Sequence, residues 1–231
     1  MQAVILAGGL GTRLWPLTKT VPKPMVPIAG TPYLEHQLRL LEQQSITDIV
    51  LLTGYLGEQI EEHFGDGSGL GLTIHYSRET TPLGTGGALR QAASLLADAF
   101  LVIYGDSYLP ISYADVLNTL ADSSATGVVT VYDNQTEDTG VTNNIALDEE
   151  GFVAKYKKDA ADDTSLRYVE AGVLAFQRAV LDSIPSGNVS LEQQIFPQLI
   201  AERKLFGHVT RQRFYDIGTP ERLERIAEQL T

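Results

Sequence analysis

The chain has 231 residues, 43% of them hydrophobic, and a formal net charge of −12 with a pI near 4.7. That length supports one buried α/β core with at most a small added lobe, and the acidity argues against a nucleic-acid-binding face, which would carry clustered Lys and Arg. No apolar run reaches the roughly 18 residues of a membrane span, the first residues lack the basic lead of a signal peptide, and with no cysteine neither disulfides nor thiolate metal sites can form; a cytoplasmic protein is expected.

Gln2-Ala3-Val4-Ile5-Leu6-Ala7 has the length and apolar density of a strand buried on both faces. Gly8-Gly9-Leu10-Gly11-Thr12-Arg13 follows without a spacer. Three glycines in four positions let backbone N–H groups converge into an anion-binding concavity. Residues 1 to 34 contain Arg13, Lys19 and Lys23 but neither Asp nor Glu, so an anion is expected there. A tight connection beside a solvated basic edge would explain the same residues. The pattern is not the dinucleotide fingerprint, because Leu14 stands where its third glycine should, and it lacks the closing Gly-Lys-Ser/Thr of a P-loop.

Thr31-Pro32 reads as an N-cap and first helical residue, and Leu34, Leu38 and Leu41 as the apolar stripe of a helix of about three turns. Residues 49–53 form the next strand, and the order strand, helix, strand predicts a right-handed parallel crossover. Such sheets gather their sites at the carboxyl ends of strands. A short helix over 57–64, a loop over 66–71 and a strand over 72–78 come next; His75, mid-strand without a histidine neighbour, is read as a packed or surface residue.

Pro82-Leu83-Gly84-Thr85-Gly86-Gly87 leads into a helix predicted over 88–97. Its glycines allow close backbone approach to a planar or anionic group, although a loop and helix start account for them equally. The strand over 100–105 ends at Asp106, an acid that is costly to bury unless paired or bound to a cation; it is either a metal ligand or a cap for the following turn. Ser112 with Asp115 opens a helix to residue 121, and 127–132 is a central strand. Residues 143–148 and 152–156 form a hairpin around Glu149-Glu150-Gly151. The strand over 168–176 carries one acid, Glu170, which must face a polar site or an edge. Ser190-Leu191-Glu192-Gln193 fits a capping box for a helix to about residue 202, and 208–215 alternates like an edge strand. Asp216 precedes a Thr219-Pro220 helix start. No repeat, low-complexity segment or linker is present.

The string Leu6-Ala-Gly-Gly-Leu-Gly-Thr-Arg-Leu-Trp-Pro-Leu-Thr18, followed by Pro22-Lys-Pro-Met-Val-Pro-Ile28 and Gly30, resembles the sugar-1-phosphate nucleotidyltransferases, the nucleoside-diphosphate-sugar pyrophosphorylases. The resemblance is strong again at 82–106 and 215–223 and weakest at 134–167. It implies a doubly wound, mostly parallel Rossmann-like α/β sheet with a small β-rich acceptor lobe and no C-terminal β-helix. All 231 residues would form one domain, with a nucleotide-binding part to about 133, a sugar-phosphate-binding part over 134–218 and a closing helix over 219–231.

By the same resemblance, Leu6, Ala7, Gly8, Gly9, Gly11 and Thr12 wrap the nucleotide, Arg13 meets its β and γ phosphates, and Lys23 meets the reacting phosphate. Pro82, Gly84, Thr85 and Gly86 match the base-recognition loop, which looks most like that of the guanylyl-transferring branches acting on mannose or heptose 1-phosphates. Uridylyl-transferring relatives, acting on hexose or amino-sugar 1-phosphates, carry similar loops. Asp106 and Asp216 match the magnesium ligands, and two strand-end carboxylates make an oxygen-rich site suited to Mg²⁺. Gly140, Lys158 and Glu170 match the sugar-phosphate site. Here the chain departs from the family: Tyr156-Lys157-Lys158-Asp159 replaces Phe-x-Glu-Lys-Pro, and Glu170 stands where Asn or Thr is common.

The implied reaction is attack of a sugar 1-phosphate oxygen on the α-phosphorus of a nucleoside triphosphate, with pyrophosphate leaving and no covalent intermediate. Two other classes stay open. A metal-dependent glycosyltransferase would usually show Asp-x-Asp where this chain has Asp106-Ser107-Tyr108. A non-catalytic nucleotide-sugar sensor would lose one of Arg13, Lys23, Asp106 or Asp216.

Overall fold

The opening apolar run becomes β1 (Gln2–Ala7) in the computed structural model, which describes residues 1–135, 137–158 and 160–230. Strand alternation sends Ala3, Ile5 and Ala7 into one core and Val4 and Leu6 into the other, so the strand is buried on both faces as its composition requires. Each large side chain such as Ile5, wholly buried, stabilises the fold by about 1.5–3 kcal/mol relative to exposure.

In chain order there follow β2 (Pro27–Ile28), β3 (Thr31–Pro32), α1 (Tyr33–Gln43), β4 (Asp48–Thr53), α2 (Gly57–Phe64), β5 (Thr73–Arg78), α3 (Gly84–Gln91) and β6 (Ala99–Tyr104). Then come β7 (Ser107–Tyr108), α4 (Tyr113–Asp122), β8 (Gly127–Asp133), β9 (Ile145–Leu147), β10 (Val153–Tyr156) and β11 (Tyr168–Gln177). The chain closes with α5 (Phe196–Ala201), β12 (Leu205–Thr210), β13 (Tyr215–Asp216) and α6 (Pro220–Leu230).

The main sheet runs β10-β9-β11-β6-β1-β4-β5, with β8 joined to β11 and β12 joined to β8. β6, β1, β4 and β5 are parallel neighbours, as are β8 and β12, while β11 runs antiparallel to both β6 and β8. Leu34, Leu38 and Leu41 of α1, Ile60 of α2 and Val116 of α4 cover one face. Leu89 of α3 with Phe196 and Leu199 of α5 covers the other. This is the doubly wound, mostly parallel architecture that the motifs imply. Among the described residues no helix is long and apolar enough to cross a membrane.

Several boundaries differ from the sequence reading, and the main ones have identifiable causes. Thr31 is not a helix cap: it pairs with Ile28 in a small two-stranded ribbon, and α1 starts at Tyr33. The helix predicted over 88–97 starts at Gly84, because the carbonyl of Val189 accepts from the N–H groups of Gly86 and Gly87 and so satisfies the first turn in place of a side-chain cap. The last strand is β12, ending at Thr210; the chain then leaves the sheet edge so that β13 can pair with β7. Ser190 does cap, accepting from Gln193 N at 3.2 Å, but the reciprocal bond comes from Gln194, and a wide π turn over Leu191–Ile195 precedes α5.

Candidate active site

The register sets Ala7 of β1 opposite Thr53 of β4, and Leu6 opposite Tyr104 of β6. The carboxyl ends of these strands therefore lie level, and a cavity of 1090 Å³ opens beside them. Leu6, Ala7, Gly8, Gly9, Gly11, Thr12, Arg13, Lys23, Pro82, Gly84, Thr85 and Asp106 all line it. Of the residues expected at the site, Gly86, Gly140, Lys158, Glu170 and Asp216 are not on this wall.

Gly11 is in the left-handed region at φ 64°, and its carbonyl accepts from Leu14 N and from Thr18 Oγ1. That closes the glycine turn from behind. Among the described residues no backbone hydrogen bond takes the N–H groups of Gly9, Leu10 or Gly11, which is the donor arrangement an anion-binding turn needs. Arg13 is exposed on the rim and forms no ion pair with a described residue. Lys23, 9% exposed, points its ammonium at Asp106 Oδ2, 2.5 Å away.

β7 and β13 bring the two aspartates together: Asp216 lies opposite Ser107, and Ile217 N donates to the carbonyl of Asp106 at 3.0 Å. The Tyr33 hydroxyl, within reach of both charges, is buried with no hydrogen-bond partner among the described residues. Its acidity is suppressed first by burial and then by the charges of Asp106 and Asp216. Asp216 itself is occupied, since Arg222 Nη1 donates to both of its oxygens at 3.1 and 2.9 Å and Gly218 N to one at 2.7 Å. Among the described residues no group of three or more His, Cys, Asp or Glu converges. The chemistry of Asp106, Asp216 and the Tyr33 hydroxyl is all oxygen, which fits a hard cation that completes its shell with water and phosphate oxygens, with Lys23 and Arg222 holding the two carboxylates here.

The residues expected at the sugar phosphate lie deeper or outside. Gly140 is on the surface, its carbonyl accepting from Arg222 Nη2 at 3.0 Å. Lys158 is exposed and acts at a distance, its charge pulling the pKa values of Glu170 and Glu192 down. Asp159 lies outside the described residues. Glu170 Oε2 accepts from the Tyr156 hydroxyl at 2.8 Å, while its Oε1 is buried with no partner among the described residues. Burial, reinforced by Glu192, pushes its carboxyl up to about 6.

Two acids at the cavity were missed. Glu79 lines it and accepts from Leu83 N at 2.9 Å, holding the loop that starts at Thr80; burial raises its pKa. Glu192, 7% exposed, accepts from Thr85 Oγ1, Ser190 Oγ and the Tyr104 hydroxyl. It sits inside a capping-box string and was read only for its cap.

A doubly wound α/β sheet thus carries a glycine turn, Arg13, Lys23 and Asp106 where β1 and β6 end, with Asp216 on the adjoining ribbon. Residues 2–231 match the family described as nucleotidyl transferase, and the chain belongs to that family. It is 38% identical over 234 residues to mannose-1-phosphate guanylyltransferase of Mycobacterium tuberculosis (strain ATCC 25618 / H37Rv), covering 100% of this chain and 64% of that protein. It is 35% identical over 228 residues to probable mannose-1-phosphate guanylyltransferase 1 of Oryza sativa subsp. japonica, covering 95% and 62%. The chain thus spans less than two thirds of the length of these curated relatives. The crystal structure of HddC from Yersinia pseudotuberculosis complexed with GMP-PN is similar across 100% of this chain and 99% of that one, with TM-score 0.82 and 26% identity.

Proposed function

We propose that the protein transfers a guanylyl group from GTP to a mannose- or heptose-type 1-phosphate, giving a GDP-sugar and pyrophosphate in the cytoplasm. The observation that carries this reading is the polarity of the cavity. Unbonded glycine N–H groups, Arg13 and Lys23 gather at one end, in a chain of net charge −12. The names of the relatives supply guanine and mannose.

Both reactants are anions, so holding them in line and neutralising their charge is the main task of the residues present. The glycine turn and Arg13 would hold the triphosphate tail, and Lys23 would leave Asp106 for the phosphate at which charge develops. Asp106 and Asp216 would hold a divalent cation, Mg²⁺ in this reading, which when bound offsets charge on the phosphate oxygens. The bond from α-phosphorus to the bridging oxygen of pyrophosphate breaks as the sugar phosphate oxygen bonds to that phosphorus.

The test is pyrophosphate release from each nucleoside triphosphate against a panel of sugar 1-phosphates. GTP with a mannose or heptose 1-phosphate is expected to be fastest. Release with UTP and a hexose or amino-sugar 1-phosphate would reassign base and sugar, and no release with any pair would remove the transferase reading.

A further inference from the structure

The cavity wall at Thr85 and Tyr104 is backed by a carboxylate that the proposed reaction does not use. Glu192 Oε1 accepts the Tyr104 hydroxyl, and its Oε2 accepts Thr85 Oγ1 at 3.0 Å and Ser190 Oγ at 2.6 Å. Burial works against its charge, but the bonds from Ser190 and Tyr104 and the charge of Lys158 outweigh it, and its pKa is lowered. An ionised carboxylate can only accept. The protons of Tyr104 and Thr85 are therefore both turned toward Glu192, away from the cavity. Thr85 Oγ1 also accepts Leu191 N–H at 2.8 Å. What either oxygen has left to offer a ligand is lone pairs, and the charge of Glu170, buried behind this wall, also acts on Tyr104.

We propose that Glu192 is a positioning residue that fixes the Tyr104 and Thr85 protons and makes this wall acceptor-only, so that it selects a sugar 1-phosphate whose ring hydroxyls donate to it. The inference rests on the nucleotidyl-transfer reading and deepens it. A deoxy carbon at this wall would leave the lone pairs unpaired, and a carboxylate there would set acceptor against acceptor and charge against Glu192. The cavity then has two poles: cations for the phosphate, acceptors for the hydroxyls.

Glu192→Gln keeps the shape and supplies an amide NH₂, which must donate to one of these hydroxyl oxygens and turn that proton into the cavity. The expected result is a rise of about tenfold in KM for the preferred sugar 1-phosphate, the scale of one hydrogen bond. Its advantage over the matching deoxy analogue should shrink by a similar factor, with KM for the triphosphate changed by less than about twofold. Tyr104→Phe should cause a comparable loss, and the double variant should be no worse than the worse single one, because both act at one oxygen.

Unchanged sugar KM, additive losses, or equal damage to both substrates, as a merely structural role would give, overturns the proposal. If melting curves show that Glu192→Gln does not fold, Thr85→Ser must keep the native sugar KM while Thr85→Val reproduces the loss; identical behaviour of the two overturns it as well. Failure of the unmodified chain to release pyrophosphate with any pair of substrates would instead strike the nucleotidyl-transfer reading itself.

Discussion

The Lys23 ammonium lies 2.5 Å from Asp106 Oδ2, with 11% of the lysine side chain and 34% of the aspartate side chain exposed. Without ligand, the cation proposed for the phosphate is held by the acid proposed for the metal. Each keeps the other from standing unpaired in a partly buried site, and arriving substrates would exchange both partners at once.

Lys23→Met removes the cation and keeps the apolar stem. Turnover in the pyrophosphate-release assay is expected to fall by about two orders of magnitude, the scale for losing one preorganised donor to a transition state. Unchanged turnover with every sugar phosphate would exclude Lys23 from the mechanism.

Asp106→Asn and Asp216→Asn should separate. Arg222 and Gly218 N already occupy the oxygens of Asp216, so this residue also ties α6 to β13. Asp216→Asn is expected to cost about 1–3 kcal/mol of stability, the range for hydrogen bonds to a charged group, together with a weakened response to Mg²⁺. Asp106→Asn leaves the Lys23 ammonium without its carboxylate and so should also lower melting, but it should show the stronger Mg²⁺ defect. Magnesium titrations of activity beside thermal unfolding decide between them, and the reverse ranking would place the metal on Asp216.

The parallel half of the fold and the basic end of the cavity are legible in the sequence because both depend on local pattern: an apolar run, then glycines, then cations with no acid in the same stretch. The other end is not. Glu192 and Tyr104 are 88 residues apart and Thr85 and Glu192 are 107 apart, and no periodicity registers a carboxylate that meets hydroxyls from two distant elements. The start of α3 was misplaced for the same reason, since its cap is the carbonyl of Val189. Glu170 was flagged by its charge inside an apolar strand, but its partner, Tyr156, comes from a neighbouring hairpin.

Gly172 is the backbone device that lets β11 pass from one partner to the next. Its φ is +79°, a Cβ placed there would lie 2.4 Å from Cβ and Oγ of Ser107, and the pairing with β8 shifts register between Glu170 and Leu174. Gly172→Ala should destabilise the protein by more than about 2 kcal/mol, adding left-handed strain of about 1–2 kcal/mol to overpacking of about 1–3 kcal/mol. Denaturant unfolding measures it. A loss below about 0.5 kcal/mol, the range of neutral surface changes, would show that β11 and β7 can separate freely.

The last prediction concerns pH. Burial pushes the Glu170 carboxyl up to about 6; Glu192 adds to the rise, while Lys158 and the Tyr156 hydroxyl oppose it. A folded pKa above the ordinary glutamate value means that the fold favours the protonated form. Its contribution is therefore whole below that ordinary value and is lost as pH rises through about 6. Glu170→Gln removes the titration, so its stability relative to the unmodified chain should rise by about 2 kcal/mol between pH 4 and pH 7.5. Substrate recognition runs the other way. Ionised Glu170 accepts hydroxyl bonds at both oxygens, whereas the protonated acid gives up one acceptor, so KM for the sugar 1-phosphate should climb below about pH 6. The second ionisation of the sugar phosphate falls in the same range, and Glu170→Gln is the control that subtracts it, since only the excess pH dependence of the unmodified chain over the variant belongs to the carboxyl. Identical KM profiles for the two proteins would mean that Glu170 meets no sugar hydroxyl and serves the packing of β11 alone.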